Sequence, residues 1–243
     1  MGTKITMHDL TNILYAREYA YDILRRFFIE EPSQEYMKIF IHHHMVEQFP
    51  FAQESEGIIE GIEDIKAYVQ EFDVLNNQKH FDDLHWDYTR MLIGPFELLA
   101  PPWESIYVQK ETLLFQNCTI NVRKAYESFG FAISKENLEA EDHIGLELDF
   151  VYHLNKLAID SSNKAKLHEV KYLLNFQAEF LNEHLLKFSS KFCEKMISNA
   201  ETQFYRGLSK ILMNFLIVDS LVLKELLNIE IKQSDFQTEY LFM

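Results

Sequence analysis

A chain of 243 residues, 47% of them hydrophobic, can bury a full core in one large domain or in two small helical lobes. With only 7 Gly and 5 Pro it lacks the turns that an all-β or doubly wound α/β chain needs, so the composition favours long helices. A formal net charge of −15 repels phosphate backbones and anionic lipid and attracts cations, although acidity alone also keeps a protein in solution.

The N-terminal stretch Met1 to Leu10 mixes Lys4, His8 and Asp9 with few apolar residues and has no signal-peptide core. Leu10, Ile13, Leu14, Tyr21, Leu24 and Phe28 fall at helical spacing, and Pro32 stops that helix. Ser33 can cap a second helix carrying Tyr36, Phe40 and Ile41, closed near Phe49-Pro50. Ile58, Ile62, Ile65, Val69 and Phe72 stripe a third, ended by Asn76-Asn77. Phe81, Leu84, Tyr88 and Met91 stripe a fourth, stopped at Gly94-Pro95. Gly94 to Ser105 holds three of the five prolines and cannot be a regular helix. It divides the chain into an N-terminal lobe (1–98), a Pro-rich hinge (99–110) and a C-terminal lobe (111–243), and its Trp103 should pack against something.

Beyond the seam, Cys118 to Phe129 reads as a short helix with Gly130 at its C′ position, and Phe131 to Ala140 as a loop. Glu141 opens a helix to about Ile159, with acids in its first turn. Ala165 to Phe188 is long and amphipathic, and a shorter helix follows at Lys191 to Ser198. Phe204, Leu208, Ile211, Phe215, Val218 and Val222 stripe the last long helix; the tail from Ile229 is weakly patterned. The expected fold is all-α, a bundle of about nine or ten helices. Its most apolar run, Ile211 to Leu223, is too short to span a bilayer.

Few residue groups invite chemistry. Cys118 and Cys193 form no CxxC and read as buried thiols of a reducing compartment. Three consecutive histidines, His42 to His44, point about 100° apart on a helix and cannot converge on one ion. The HExxH, GxGxxG, phosphate-loop and GxSxG patterns are absent. Gly57 and Gly61 suit a close helix contact. The richest segment is Glu136 to Asp149, with Glu136, Glu139, Glu141, Asp142, Glu147 and Asp149, one histidine and no Lys or Arg. His143 and Glu147 sit four apart and can touch on a helix. The segment reads as a solvated acidic face with a capping Asp, as a docking site for a cationic peptide, or as an acid/base pair that lacks a visible nucleophile.

Three segments in order resemble the TorD/DmsD family of redox-enzyme maturation chaperones. The first is Asp87-Tyr88-Thr89-Arg90-Met91-Leu92-Ile93-Gly94-Pro95, running on to Pro101-Pro102-Trp103-Glu104-Ser105-Ile106-Tyr107. The second is Glu141-Asp142-His143-Ile144-Gly145-Leu146-Glu147-Leu148. The third is Phe180-Leu181-Asn182-Glu183-His184-Leu185 with Phe204-Tyr205, where this chain has Phe188 in place of the family's usual Trp. The likeness covers about Tyr15 to Leu223. It implies a cytoplasmic, non-enzymatic, two-lobed all-α chaperone. Its partner would be the twin-arginine leader on the catalytic subunit of a molybdopterin oxidoreductase, held until cofactor insertion and released to export. No cofactor, metal, nucleic acid or membrane insertion is implied for the chaperone itself, apart from weak GTP binding, and it would be a monomer or a domain-swapped dimer.

On that resemblance, Tyr88, Met91, Leu92, Pro102, Trp103 and Tyr107 are expected to line an apolar groove, with Gly94, Pro95 and Pro102 setting its geometry. Asp142, with Glu141, Glu104 and Glu147, would face the leader's arginines. His143 would orient a carboxylate or touch the peptide backbone, and Ser105 could cap a helix. Two alternatives stand beside this: a leader-independent assembly factor for an anaerobic respiratory oxidoreductase, and a GTP hydrolase using Asp142 and His143.

Overall fold

A computed structural model describes residues 4–95, 97–108, 117–133 and 139–232. These form an all-α bundle. In chain order the helices are α1 (Met7–Ile29), α2 (Gln34–His42), α3 (Glu56–Glu71), α4 (Gln78–Leu92), α5 (Glu104–Val108), α6 (Asn117–Ser128), α7 (Ile144–Asn163), α8 (Leu167–Phe180), α9 (Leu186–Asn199) and α10 (Gln203–Asn228). A short 3-10 turn (Ala52–Glu54) precedes α3, and a π-turn (Leu181–Leu185) joins α8 to α9 without a break. Glu136, singled out in the acidic segment, lies outside the described residues, as do hinge positions 109 and 110.

Local chemistry sets most boundaries. Thr6 and Asp9 form a reciprocal capping box at the start of α1. The Ser33 hydroxyl accepts the Tyr36 N–H (3.1 Å) at the start of α2, as its position suggested. α3 ends at Glu71, earlier than expected; Asp73 makes a turn, its carboxylate accepting the Asn76 N–H (3.0 Å), and Asn77 caps α4, its side chain accepting the Lys79 N–H at 3.1 Å. Gly130 takes a left-handed φ of 72° two residues beyond α6. The weakly patterned tail contains a short strand. Glu230–Lys232 (β2) runs parallel to Lys4–Thr6 (β1), pairing Ile5 with Ile231.

The core is continuous, and helices on both sides of the seam contribute to it, among them Leu14 and Phe28 of α1, Ile58 of α3, Met91 of α4, Leu148 and Leu154 of α7, Phe192 of α9 and Phe215 of α10. α3 lies directly on α10. A Cβ on Gly61 would come within 2.6 Å of the Gly207 carbonyl, and one on Gly207 within 2.5 Å of the Gly61 carbonyl, so this crossing needs glycine on both helices. The close contact expected of the Gly57/Gly61 pair is therefore with the last long helix.

One polar cluster sits inside the bundle. Arg17 of α1 and Asp219 of α10 are fully buried and paired side-on through two hydrogen bonds. The same guanidinium donates to Asn155 of α7 (2.7 Å) and Gln177 of α8 (2.9 Å), and the Tyr21 hydroxyl donates to Asp219 at 2.7 Å. Four helices, α1, α7, α8 and α10, share one ionic node, which fixes their register.

Candidate functional site

The three conspicuous segments meet at one place. The seam leaves α4 through Gly94, whose φ of 106° only glycine adopts freely. It then runs beside the start of α7. The Ile144 N–H donates to the Pro102 carbonyl (2.8 Å) and the Glu104 N–H to the Asp142 carbonyl (2.9 Å), a short antiparallel bridge between Trp103 and His143. The Trp103 indole N–H donates to Glu139 Oε1 (2.7 Å), and its ring meets the His143 ring edge-on at 6.3 Å. α5 is thereby set against the N-terminus of α7. Gly145 allows α7 to come down onto the end of α1, since a Cβ there would lie 2.5 Å from the Ile29 Cα.

Asp142 holds this junction. It is fully buried, and both carboxylate oxygens are engaged: Oδ2 accepts the Ser105 N–H (2.9 Å) and Oδ1 the Thr119 hydroxyl (2.9 Å). The expectation that it faces an incoming arginine is corrected, because the carboxylate points inward and caps α5 while tying down α6. The cap of α7 is His143, whose Nδ1 accepts the Gly145 N–H at 3.1 Å, leaving the ring proton on Nε2. Burial lowers His143 to about 4 against the pull of Glu139 and Asp142, so the ring is neutral at physiological pH. α7 accordingly begins at Ile144 and not at Glu141.

The third segment joins through Glu104, which is almost wholly buried and whose Oε2 lies 2.9 Å from His184 Nδ1. His184 sits in the π-turn. The extra residue that a π-turn inserts shifts the helix face by roughly 100°, and this break in the 3.6 repeat brings His184 round to α5. The two separate helices expected over 165–198 are therefore one rod with a local bulge. Phe188, the departure from the family pattern, is buried and stacks with Tyr107 at 5.9 Å, which locks α5 against α9.

Glu147 is the least ordinary residue here. It is completely buried, neither carboxylate oxygen has a hydrogen-bond partner among the described residues, and the carboxylates that act on it are Glu104 and Asp142. Burial, and then those two carboxylates, push its pKa well above the usual range, so it is a neutral acid inside the fold. Its side chain does not pair with His143. Glu141 behaves differently: burial works to raise it, but its hydrogen bond and ion pair with Arg123 outweigh that and hold it low. The exposed Glu139 and the half-buried Glu141 are the acids at the rim of this locus. Beside them opens a recess of about 180 Å³, with Ile29, Tyr126, Phe131, Ile133 and Phe150 on its apolar side and Asp149 and His153 on its polar side; Asp149 is paired with Arg25 (2.7 Å). The Tyr126 hydroxyl donates to the Glu141 carbonyl (2.9 Å), joining recess and acidic rim.

The remaining residues divide. Tyr88, Met91 and Leu92 belong to the core under the seam and do not line an open groove; the Tyr88 ring packs on Tyr205 at 5.9 Å. Pro95 is exposed, Gly94 and Pro102 are buried, and Trp103 and Tyr107 are half-buried. Ser105 is buried with its hydroxyl unpartnered, so its backbone is capped and its side chain caps nothing. Sequence reasoning missed Thr119 and Arg123 as partners of the acidic segment, and it noted His184 without assigning it a contact. Among the described residues no group of three or more His, Cys, Asp or Glu could hold a metal ion, and no helix is long and apolar enough to cross a membrane.

The family model described as nitrate reductase delta subunit matches residues 51–194, which contain the seam, the acidic segment and the π-turn. The chain belongs to this family, the TorD/DmsD type. It is similar to the Tat proofreading chaperone DmsD of Salmonella typhimurium, 30% identical over 122 residues, or 50% of this chain and 53% of that one. It is also similar to the chaperone protein TorD of Aliivibrio fischeri, 28% identical over 137 residues (56% and 62%). The TorD of Photobacterium profundum is 25% identical over 179 residues (73% and 82%). The chain spans about half the length of the first of these relatives.

Proposed function

We propose that this chain is a cytoplasmic, non-catalytic chaperone that binds the twin-arginine leader of a molybdopterin oxidoreductase's catalytic subunit and holds that subunit before export. The observation that carries this reading is the meeting of three remote segments beside a recess that is aromatic on one side and holds Asp149 on the other, with Glu139 and Glu141 nearby. A leader of that class offers two cations followed by an apolar helix-prone stretch. Glu139, Glu141 and Asp149 are the carboxylates offered to its arginines, with Arg123 yielding its place on Glu141 and Arg25 on Asp149, and the aromatic side of the recess receives the apolar stretch. Asp142, Glu104, His143 and His184 keep the site in shape. A chaperone acting in this way needs no cofactor of its own. The division into lobes hinged at 99–110 belongs to the same reading, because exchange at such a seam would give a swapped dimer.

A nucleotide hydrolase is less well supported, since Asp142 and His143 are both spent on capping. Calorimetric titration with synthetic twin-arginine leaders, each beside its Lys-Lys and Ala-Ala variants, tests the proposal. Micromolar binding, about −8 kcal/mol, that weakens in the variants supports it. A folded protein that binds none of the leaders overturns it in favour of a leader-independent assembly factor.

A further inference from the structure

A second concave site lies outside the family's characteristic segments. The C-terminal turn of α3, the outer face of α4 and the first turn of α10 enclose a cleft of about 480 Å³. Its walls are aromatic. Tyr68 and Phe72 lie against each other with centroids 4.8 Å apart and planes at 31°, and Trp86 completes the wall. Trp86 is 49% exposed, in a chain whose largest aromatic side chains are otherwise mostly packed inside.

The rim is acidic. Glu71, Asp83 and Glu201 line the cleft, with Arg206 as the one cation among its lining residues. Arg206 is turned to its own helix start, donating to the Glu201 and Thr202 carbonyls. Glu201 has only a long contact to Arg90, at 3.6 Å, while Glu71 and Asp83 have no ion pair among the described residues. The carbonyl end of α3 adds negative potential at the same place. Burial raises the Tyr68 hydroxyl to about 12, with Asp83 and then Asp87 adding to the effect.

The floor is rigid. Asp87, fully buried one turn along α4 from Asp83, accepts the Glu201 N–H (3.1 Å), the Thr202 N–H (2.8 Å) and the Thr202 hydroxyl (2.8 Å). The cleft is therefore preformed, and a ligand does not have to order it.

Aromatic faces surrounded by unneutralised carboxylates select a cation with a flat or apolar body. A guanidinium meets both demands better than an ammonium, because its plane stacks on a ring while its edge donates to carboxylates. A free metal ion would find no convergent ligand set, since no such group occurs among the described residues. We propose that this cleft binds an arginine side chain carried by an extended polypeptide, stacked on Trp86 and bonded to Glu71 and Asp83. The site is distinct from the recess beside Glu141; it rests on the chaperone reading only for the source of such a polypeptide.

The test uses the full chain labelled with fluorotryptophan, whose two fluorine resonances report Trp86 and Trp103 separately and are assigned with Trp86→Phe. The probe is the peptide acetyl-Ala-Leu-Arg-Leu-Ala-amide, compared with the same peptide carrying uncharged citrulline in place of arginine. The expected result is a saturable shift of the Trp86 resonance with the arginine peptide only. Affinity should fall about fivefold or more in Glu71→Gln/Asp83→Asn, two exposed positions whose change leaves the circular dichroism spectrum unaltered. A shift of equal size with citrulline, an unchanged affinity in the double variant, or no movement of Trp86 overturns the proposal. Movement of the Trp103 resonance alone also overturns it, and places the cation at the seam, where it supports the leader-binding reading.

Discussion

Replacing Glu147 by Met should make the protein more stable, and more so as pH rises. The side chain is fully buried and both oxygens lack partners, so its carboxyl is held neutral. Its folded pKa lies above the unfolded value near 4.5. The contribution of such a group is fully present below the unfolded pKa and is lost as pH rises through the folded one, because only the unfolded chain releases the proton cheaply. An unpartnered buried polar group costs about 1–3 kcal/mol, and a thioether of similar length fills the space without that cost. At pH 4, where the carboxyl is largely protonated in both states, the variant should gain roughly that amount, which for a chain of this size is a rise in Tm of about 2–12 °C. Above the unfolded value the cost of retaining the proton adds to it, so the gain at pH 8 should be larger. Urea unfolding followed by circular dichroism across pH 4 to 9 measures both the gain and its slope. A variant equally or less stable at pH 8, or a difference independent of pH, would refute the assignment of Glu147 as an unpaired neutral acid.

Arg17→Met leaves Asp219 buried with only the Tyr21 hydroxyl, and should cost about 3–5 kcal/mol, while Arg17→Met/Asp219→Leu recovers most of it, as read by urea unfolding. Asp142→Ala removes the acceptor for Ser105 and Thr119; it should cost about 1–3 kcal/mol and speed amide exchange in α5 well beyond that in α1. His143→Asn keeps a cap but removes a ring held neutral down to about 4; the parent should lose stability between the ordinary histidine value near 6.5 and about 4, on the order of 3 kcal/mol, and the variant should not.

Helical periodicity, scarce glycine and the proline-rich break at 94–105 determined the all-α class and most of the helices, because these signals act between residues three or four apart. Capping at Ser33 and the stop at Gly130 were legible for the same reason. The conspicuous residues of the seam and of the acidic segment were also visible as patterns, and the structure brings them to one locus. What their side chains do there was not legible. Asp142 and Glu147 are written with letters that suit a solvated acidic face equally well; the docking of α7 on Ile29 at Gly145, and the bonds of Asp142 to Ser105 and Thr119, put this helix start inside. The Arg17–Asp219 node spans 202 positions, and the Gly61–Gly207 crossing joins helices with six others between them in sequence. The π-turn that carries His184 to Glu104 breaks the very repeat from which helices are read. Which segments become helices, and where the chain must bend, follows from neighbours along the chain. Which carboxylates are buried, which remain at the surface, and which glycine and ionic pairs lock the bundle were decided only by tertiary structure, because burial and pairing are properties of how helices meet and not of any helix alone.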